Sequence, residues 1–183
     1  MATYYLNTDD KTTFRTKLKT FDRVFLSGTI YTARDAAHKQ MLSIIKQNNP
    51  PLIPIDGSII YYAGPTATPD GLAIGSCGPT TAGRMDKYAP TLLDMGLVMM
   101  IGKGERSPEV IEAIKRNKAV YLCAVGGAGA LACECIKKCE VVALPELGCE
   151  SIKKLTIENF PLIVAIDSEG TDIFSLGREK YKI

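Results

Sequence analysis

At 183 residues, with 46% apolar and 23% charged side chains, the chain has the composition of a soluble globular protein, and it is long enough to hold a core without a disulfide or a metal. A net charge of +2 gives no electrostatic reason to expect nucleic acid or an anionic membrane as partner, and no apolar run approaches the roughly 18 residues that cross a bilayer. Met1 to Asp10 has no basic stretch leading into an apolar core, so the expected location is the cytoplasm.

The first 20 residues are polar and mixed, with one short extended stretch at Thr3 to Leu6, and are expected to form an edge or an N-terminal arm. Arg23 to Ser27 reads as a strand that continues through Ile30-Tyr31-Thr32, with Gly28 marking a bulge or sharp turn between the two. From Ala33 the period becomes helical (Ala36, Ala37, Met41, Leu42, Ile44, Ile45) and ends at Asn48-Asn49-Pro50-Pro51. Arg34 opposes the dipole at the start of this helix, so a ligand or a partner explains it better than helix stability does. His38, the only histidine, lies one turn further on; orienting Arg34 or Asp35 and plain structural packing are both open to it, and it stays outside the candidate catalytic set.

After a proline-rich connection, Ile59 to Ala63 reads as a strand and Gly64 to Gly71 as a turn-rich excursion. Gly75 to Asp86 (Gly-Ser-Cys-Gly-Pro-Thr-Thr-Ala-Gly-Arg-Met-Asp) then delivers backbone N–H groups, two hydroxyls and a guanidinium to a helix start, with Arg84 one turn on from Thr80. That combination describes an anion site; a capped helix whose Arg84 pairs with Asp86 or with solvent is the plain alternative. A helix over Tyr88 to Met95 and a strand over Leu97 to Ile101 follow. The strand ends in Gly102-Lys103-Gly104-Glu105-Arg106-Ser107, and Pro108 opens a helix running to Asn117. A lysine between glycines at a strand's carboxyl end is where open α/β sheets present ligand groups, although the spacing is not that of a P-loop.

Ala119 to Val125 is the clearest strand, and Gly127-x-Gly129-x-x-Ala132 after it matches a relaxed dinucleotide fingerprint, with Glu146 or Glu150 about 20 residues on. An NAD-binding oxidoreductase domain is therefore a rival reading. The short helix and the late position of the fingerprint favour close helix-to-strand packing through small residues instead. Cys133, Cys135 and Cys139 form C-x-C-x3-C, but residues two apart on a helix point to different sides and no fourth ligand is suitably spaced, so these thiols read as packing groups rather than metal ligands. Past Val141 to Leu144, the stretches Ser151–157, 160–167 and 173–174 read as short strands with no full helix. Strands at both ends with helices between them predict a layered α/β fold with a mixed sheet.

Taken together, Gly28-Thr29-Ile30-Tyr31-Thr32-Ala33-Arg34-Asp35-Ala36-Ala37-His38-Lys39, Gly78-Pro79-Thr80-Thr81-Ala82-Gly83-Arg84-Met85-Asp86, Gly102-Lys103-Gly104-Glu105-Arg106-Ser107, Pro145-Glu146-Leu147-Gly148 and Asn159-Phe160-Pro161 resemble the iron-sulfur hydro-lyases of the class I fumarate hydratase and L-tartrate dehydratase type. The likeness is to their β subunit, equivalent to the C-terminal domain of the single-chain enzymes, and runs in order from about Phe21. It implies one swivelling β/β/α domain over residues 1–183 and reversible hydration of fumarate to (S)-malate, with dehydration of tartrate to oxaloacetate as the close alternative. It further implies a 4Fe-4S cluster held by a partner α subunit and not by this chain, hence a hetero-oligomer, with a homodimer when isolated. Carried onto these residues, Arg34, Arg84 and Lys103 would clamp a dicarboxylate, Thr81 would add a substrate contact, and Thr80 would exchange the C3 proton. A threonine hydroxyl is a poor base on its own, so Thr80 would need cationic neighbours and a carboxylate from the partner.

Overall fold

The computed structural model describes residues 1–182. Its strands are β1 (Thr3–Asn7), β2 (Arg23–Thr32), β3 (Ile59–Tyr61), β4 (Met99–Gly102), β5 (Val120–Cys123), β6 (Ile136–Ala143) and β7 (Ile152–Ile166). Its helices are α1 (Lys11–Thr16), α2 (Asp35–Lys46), α3 (Ala89–Asp94), α4 (Pro108–Asn117), α5 (Gly129–Cys135) and α6 (Ile173–Lys180), with 3-10 turns at Ala82–Met85 and Pro145–Glu150. The seven strands form one mixed sheet in the order β1-β2-β3-β4-β5-β7-β6, and β7 pairs with β2 as well. β1 to β5 pair in parallel; β7 runs antiparallel to β2, β5 and β6. The pairings β2-β3-β4-β5-β7 therefore close into a ring.

Period-two alternation in the short central strands sends their side chains to two different cores. Ile59, Tyr61, Met99, Ile101, Val120 and Leu122 point into the ring, against Leu26, Ile30, Leu155, Phe160 and Val164 of the β2/β7 ribbon. Ile60, Tyr62, Met100 and Tyr121 point outward, onto Met41 and Leu42 of α2, Leu92 and Leu93 of α3, and Val110 and Ile114 of α4. Both clusters are almost fully buried, so the layers run sheet, sheet, helices: a layered α/β fold with a mixed sheet, as the sequence pattern predicts, in the β/β/α arrangement that the family resemblance implies.

The bulge expected at Gly28 is present. Between the pairs Leu26/Phe160 and Gly28/Ile157, Ser27 alone faces Glu158 and Asn159; Gly28 has φ 118° and Asn159 φ 49°, and Asn159 donates its N–H to Ser27 Oγ at 3.0 Å. Because this bulge absorbs the irregularity, the two strands expected over 151–157 and 160–167 are one 15-residue strand. The chain end also differs: residues 173–180 form α6 rather than a strand, because the Asp172 carboxylate accepts the N–H groups of Phe174 and Ser175 at 3.1 Å each and caps a helix there. Residues 3–7 are the edge strand of the sheet.

Candidate functional site

Since β2 to β5 are parallel, the loops after their carboxyl ends share one rim. Arg34 follows β2, Thr80 to Arg84 lie in the long connection after β3, Lys103 follows β4, and Gly126 to Ala128 follow β5. The connection after β3 leaves at Gly64 and returns at Pro79, which bridges Ala63. From there it lies along the end of β4: Thr80 donates to the Tyr62 carbonyl at 2.7 Å, Lys103 donates to the Thr80 carbonyl at 3.2 Å, and Ala82 donates to the Lys103 carbonyl at 2.8 Å. This pairing sets the half-buried Thr80 and the exposed Thr81 beside the exposed Lys103.

It also changes what the Gly75 to Asp86 stretch offers. The N–H groups of Thr80 and Ala82 are bonded into the sheet and do not face a ligand. The helix expected to start on these threonines is a four-residue 3-10 turn, and among the described residues the Thr81 side chain makes no capping bond. The cationic side chains on this rim are Arg34, Arg84 and Lys103.

Two of those cations converge on one carboxylate. Arg84 Nη2 donates to Asp35 Oδ2 at 2.7 Å, and Arg34 Nε lies 3.8 Å from the same oxygen. Arg34 Nη2 also lies 3.5 Å from Glu150 Oε1, while Glu150 Oε2 accepts the Ala36 N–H at 3.0 Å in the first turn of α2. The Arg34 side chain crosses Gly64 so closely that a Cβ there would sit 2.7 Å from Nη1, so a side chain at that position would displace the guanidinium. The position of Arg34 at a helix start signals a partner without naming one; in the structure its neighbours are the carboxylates of Asp35 and Glu150, and Glu150, 116 residues away, carries no local signal of that role.

Directly beneath the rim, Arg106 has a side chain with no exposure and lies near the rings of Tyr62 and Tyr121, 5.4 and 4.9 Å from their centroids. Its Nε donates to Asp86 Oδ1 at 2.7 Å, and Asp86 Oδ2 accepts the Ser107 N–H at 2.6 Å. Asp86 is thus engaged by Arg106, not by Arg84, and ties the turn carrying Lys103 to the segment carrying Thr80 and Arg84. His38 is buried beside this pair. It lies T-shaped to Tyr62 and stacked on Tyr88, and its Nδ1 is 2.9 Å from the Arg34 carbonyl oxygen. Burial pushes its pKa down to about 4, so the ring is neutral at pH 7.

In the glycine-rich segment after β5, Gly129 serves packing, whereas Gly126 and Gly127 are exposed. A Cβ at Gly129 would collide with Ser76 Oγ and approach Gly78 N to 3.2 Å, and the Cys77 N–H donates to the Gly129 carbonyl at 3.1 Å. α5 is seven residues long, and Glu150 is already engaged with Arg34 and α2. Cys133 and Cys135 lie on α5 and Cys139 on β6; Cys133 Sγ donates to the Ile74 carbonyl at 3.0 Å. Among the described residues no group of three or more His, Cys, Asp or Glu side chains could hold a metal ion, so the residues present do not fit an iron-sulfur cluster.

A family model described as the fumarase C-terminus matches residues 3–177. The chain is 44% identical over 154 residues to the aerobic class I fumarate hydratase of Salmonella typhimurium, covering 83% of this chain and 27% of that protein. It is 42% identical over 155 residues to fumarate hydratase 2 of Leishmania major, covering 84% and 27%. It is also 38% identical over 168 residues to the putative L(+)-tartrate dehydratase subunit beta of Methanocaldococcus jannaschii, there covering 86% of this chain and 84% of the relative. The chain therefore spans about a quarter of the length of these fumarate hydratases and most of the length of the tartrate dehydratase subunit.

Proposed function

The chain belongs to the fumarase C-terminus family, and on that premise we propose that it is the β subunit of a class I type hydro-lyase, interconverting fumarate and (S)-malate together with a cluster-bearing α subunit. The observation that supports this most is the gathering of Arg34, Arg84, Lys103 and Thr80 on one rim at the carboxyl ends of parallel strands. In this reading residues 1–183 act as one domain in the cytoplasm, and the 4Fe-4S cluster belongs to the α subunit.

Arg34 and Arg84 already hold a carboxylate between them in Asp35. A substrate carboxylate would meet the same two guanidiniums, whose planar forks suit it. Addition or loss of the C3 proton passes through a carbanion-like state beside a carboxylate, and Lys103 would stabilise the charge that grows there. Thr80, next to Lys103 and backed by Tyr62, would give its hydroxyl proton to C3 in hydration and regain one from a carboxyl group of the α subunit, with the reverse transfers in dehydration, and Thr81 would add a contact.

The test is to mix the chain anaerobically with its α subunit and follow fumarate absorbance. Thr80→Ala should lower kcat by about 100-fold or more while KM stays within roughly threefold. An unchanged kcat with a raised KM would make Thr80 a binding residue and remove it from the proton transfer. A second reading, the L-tartrate dehydratase β subunit, is favoured by the 84% coverage of the Methanocaldococcus subunit, and turnover of L-tartrate but not fumarate in the same assay would select it.

A further inference from the structure

Glu150, the carboxylate beside the Arg34 guanidinium, ends the 3-10 turn Pro145–Glu150. Its Oε2 accepts the Ala36 N–H at 3.0 Å, and its Oε1 lies 3.5 Å from Arg34 Nη2. A 3-10 turn has poor hydrogen-bond geometry of its own, and this one is kinked at Gly148, where φ is 57°. The direction in which Glu150 points therefore has to be fixed from outside the turn.

Lys153, the second residue of β7, lies just beyond it and is only 7% exposed. Its ammonium donates to the carbonyls of Gly148, Cys149 and Ser151 at 3.0, 3.2 and 3.3 Å and to Ser151 Oγ at 2.7 Å. The Ser151 N–H and hydroxyl both donate to the Gly148 carbonyl as well, at 3.1 and 2.7 Å. These acceptors lie on both sides of Glu150 in the chain, so one ammonium gathers the backbone before and after it. All four are neutral oxygens, and among the described residues Lys153 forms no ion pair. Taking an ammonium out of water is costly, and an apolar side chain of similar length would fill the same space without that cost. What only the charge provides is several strong donors at one point, since charge-assisted hydrogen bonds are about twice as strong as neutral ones.

The same residue is seated against the strand end from which Arg34 departs. Lys153 pairs with Thr32 across β2 and β7 and donates its backbone N–H to Thr32 Oγ1 at 3.1 Å. The Cys149 carbonyl oxygen would lie 3.3 Å from a Cβ at Gly64, the residue that the Arg34 side chain crosses. We infer that Lys153 is a positioning residue for Arg34: its ammonium fixes the turn over 148–151, and with it the Glu150 carboxylate that ties the Arg34 guanidinium to the start of α2. It acts through Glu150 and not on substrate.

The fixing of the turn stands apart from the proposed reaction, whereas its kinetic consequence rests on the proposed role of Arg34, and the experiment has one arm for each. Ala36 lies in the first turn of α2, where an N–H has no partner within the helix, so its hydrogen exchange reports on Glu150. In the full chain alone, followed by NMR, Lys153→Met should speed Ala36 exchange about tenfold, Glu150→Ala should do the same, and the double variant should be no faster, with the amides of β4 keeping their protection. An unchanged Ala36 rate, two effects that multiply, or an equal loss of protection in β4 overturns the inference. Should Lys153→Met not fold, Ser151→Ala removes only the 2.7 Å contact and the hydroxyl bond to Gly148; it should speed Ala36 exchange about threefold, and an unchanged rate overturns the inference equally. In the complex with the α subunit, Lys153→Met should raise KM for fumarate about tenfold while kcat stays within roughly threefold, and adding Glu150→Ala should raise it no further. An unchanged KM, or effects that multiply, overturns the positioning role. If the wild-type complex turns over neither fumarate nor L-tartrate, the functional proposal fails, and Ala36 exchange alone decides whether Lys153 fixes Glu150.

Discussion

Replacing Asp86 with alanine strips the counter-charge from Arg106, whose side chain has no exposure, while Asp86 itself is only 14% exposed. Removing one partner of a buried ion pair typically costs about 3–5 kcal/mol, because the remaining charge stays desolvated. The rings of Tyr62 and Tyr121 beside the guanidinium are present before and after the substitution, so they drop out of the difference. The Ser107 N–H also loses its acceptor, but it lies at the N-terminus of α4, where water can replace a carboxylate oxygen at small cost. The expected loss is therefore about 3–5 kcal/mol, a fall in Tm of roughly 6–20 °C for a chain of this size. Urea and thermal unfolding of the isolated chain measure it. The reasoning also requires that Asp86→Leu combined with Arg106→Met recover most of the loss, since replacing both charges by apolar groups is often neutral. A loss under about 1 kcal/mol for Asp86→Ala, the range of an exposed pair, would refute it, as would a double variant as unstable as the sum of the singles.

His38 sets a pH dependence of stability. With its folded pKa near 4 and an ordinary value of 6.5, the unfolded chain binds more protons between these limits, so this contribution is complete above about pH 6.5 and is lost as the pH falls toward 4. The loss should reach up to roughly 3 kcal/mol, seen as a falling urea midpoint that His38→Gln removes; an unchanged acid slope in that variant would show that other groups carry it. Gly129→Ala should cost about 1–3 kcal/mol in thermal unfolding, because the added methyl must displace Ser76 and press on the Gly78 backbone, and a neutral result would mean that the loop yields freely.

Local signals made much of this chain legible. Gly28 announced a bulge because a residue with positive φ at a strand irregularity favours glycine, and the bulge is there. The glycines and prolines around Thr80 and Lys103 marked loops after strands, and both residues lie on the carboxyl rim. Arg34 stood out as a cation at the wrong end of a helix. The details that failed were those where a nearby group competes with the local pattern. Thr80 and Ala82 put their N–H groups into sheet pairing rather than toward a ligand, and Asp172 turned an apolar stretch into α6.

By itself, then, the sequence determined which residues sit at strand ends and where the pattern turns helical, because period and turn chemistry are properties of neighbours along the chain. Only the tertiary structure decided that β7 closes the ring by pairing with both β2 and β5. It alone also decided that Arg84 shares Asp35 with Arg34 across 49 residues, that Glu150 meets α2 across 114, and that Arg106 and Asp86 lock two loops together across 20. An ion pair depends on which loops the fold brings within about 4 Å, and no local periodicity carries that distance.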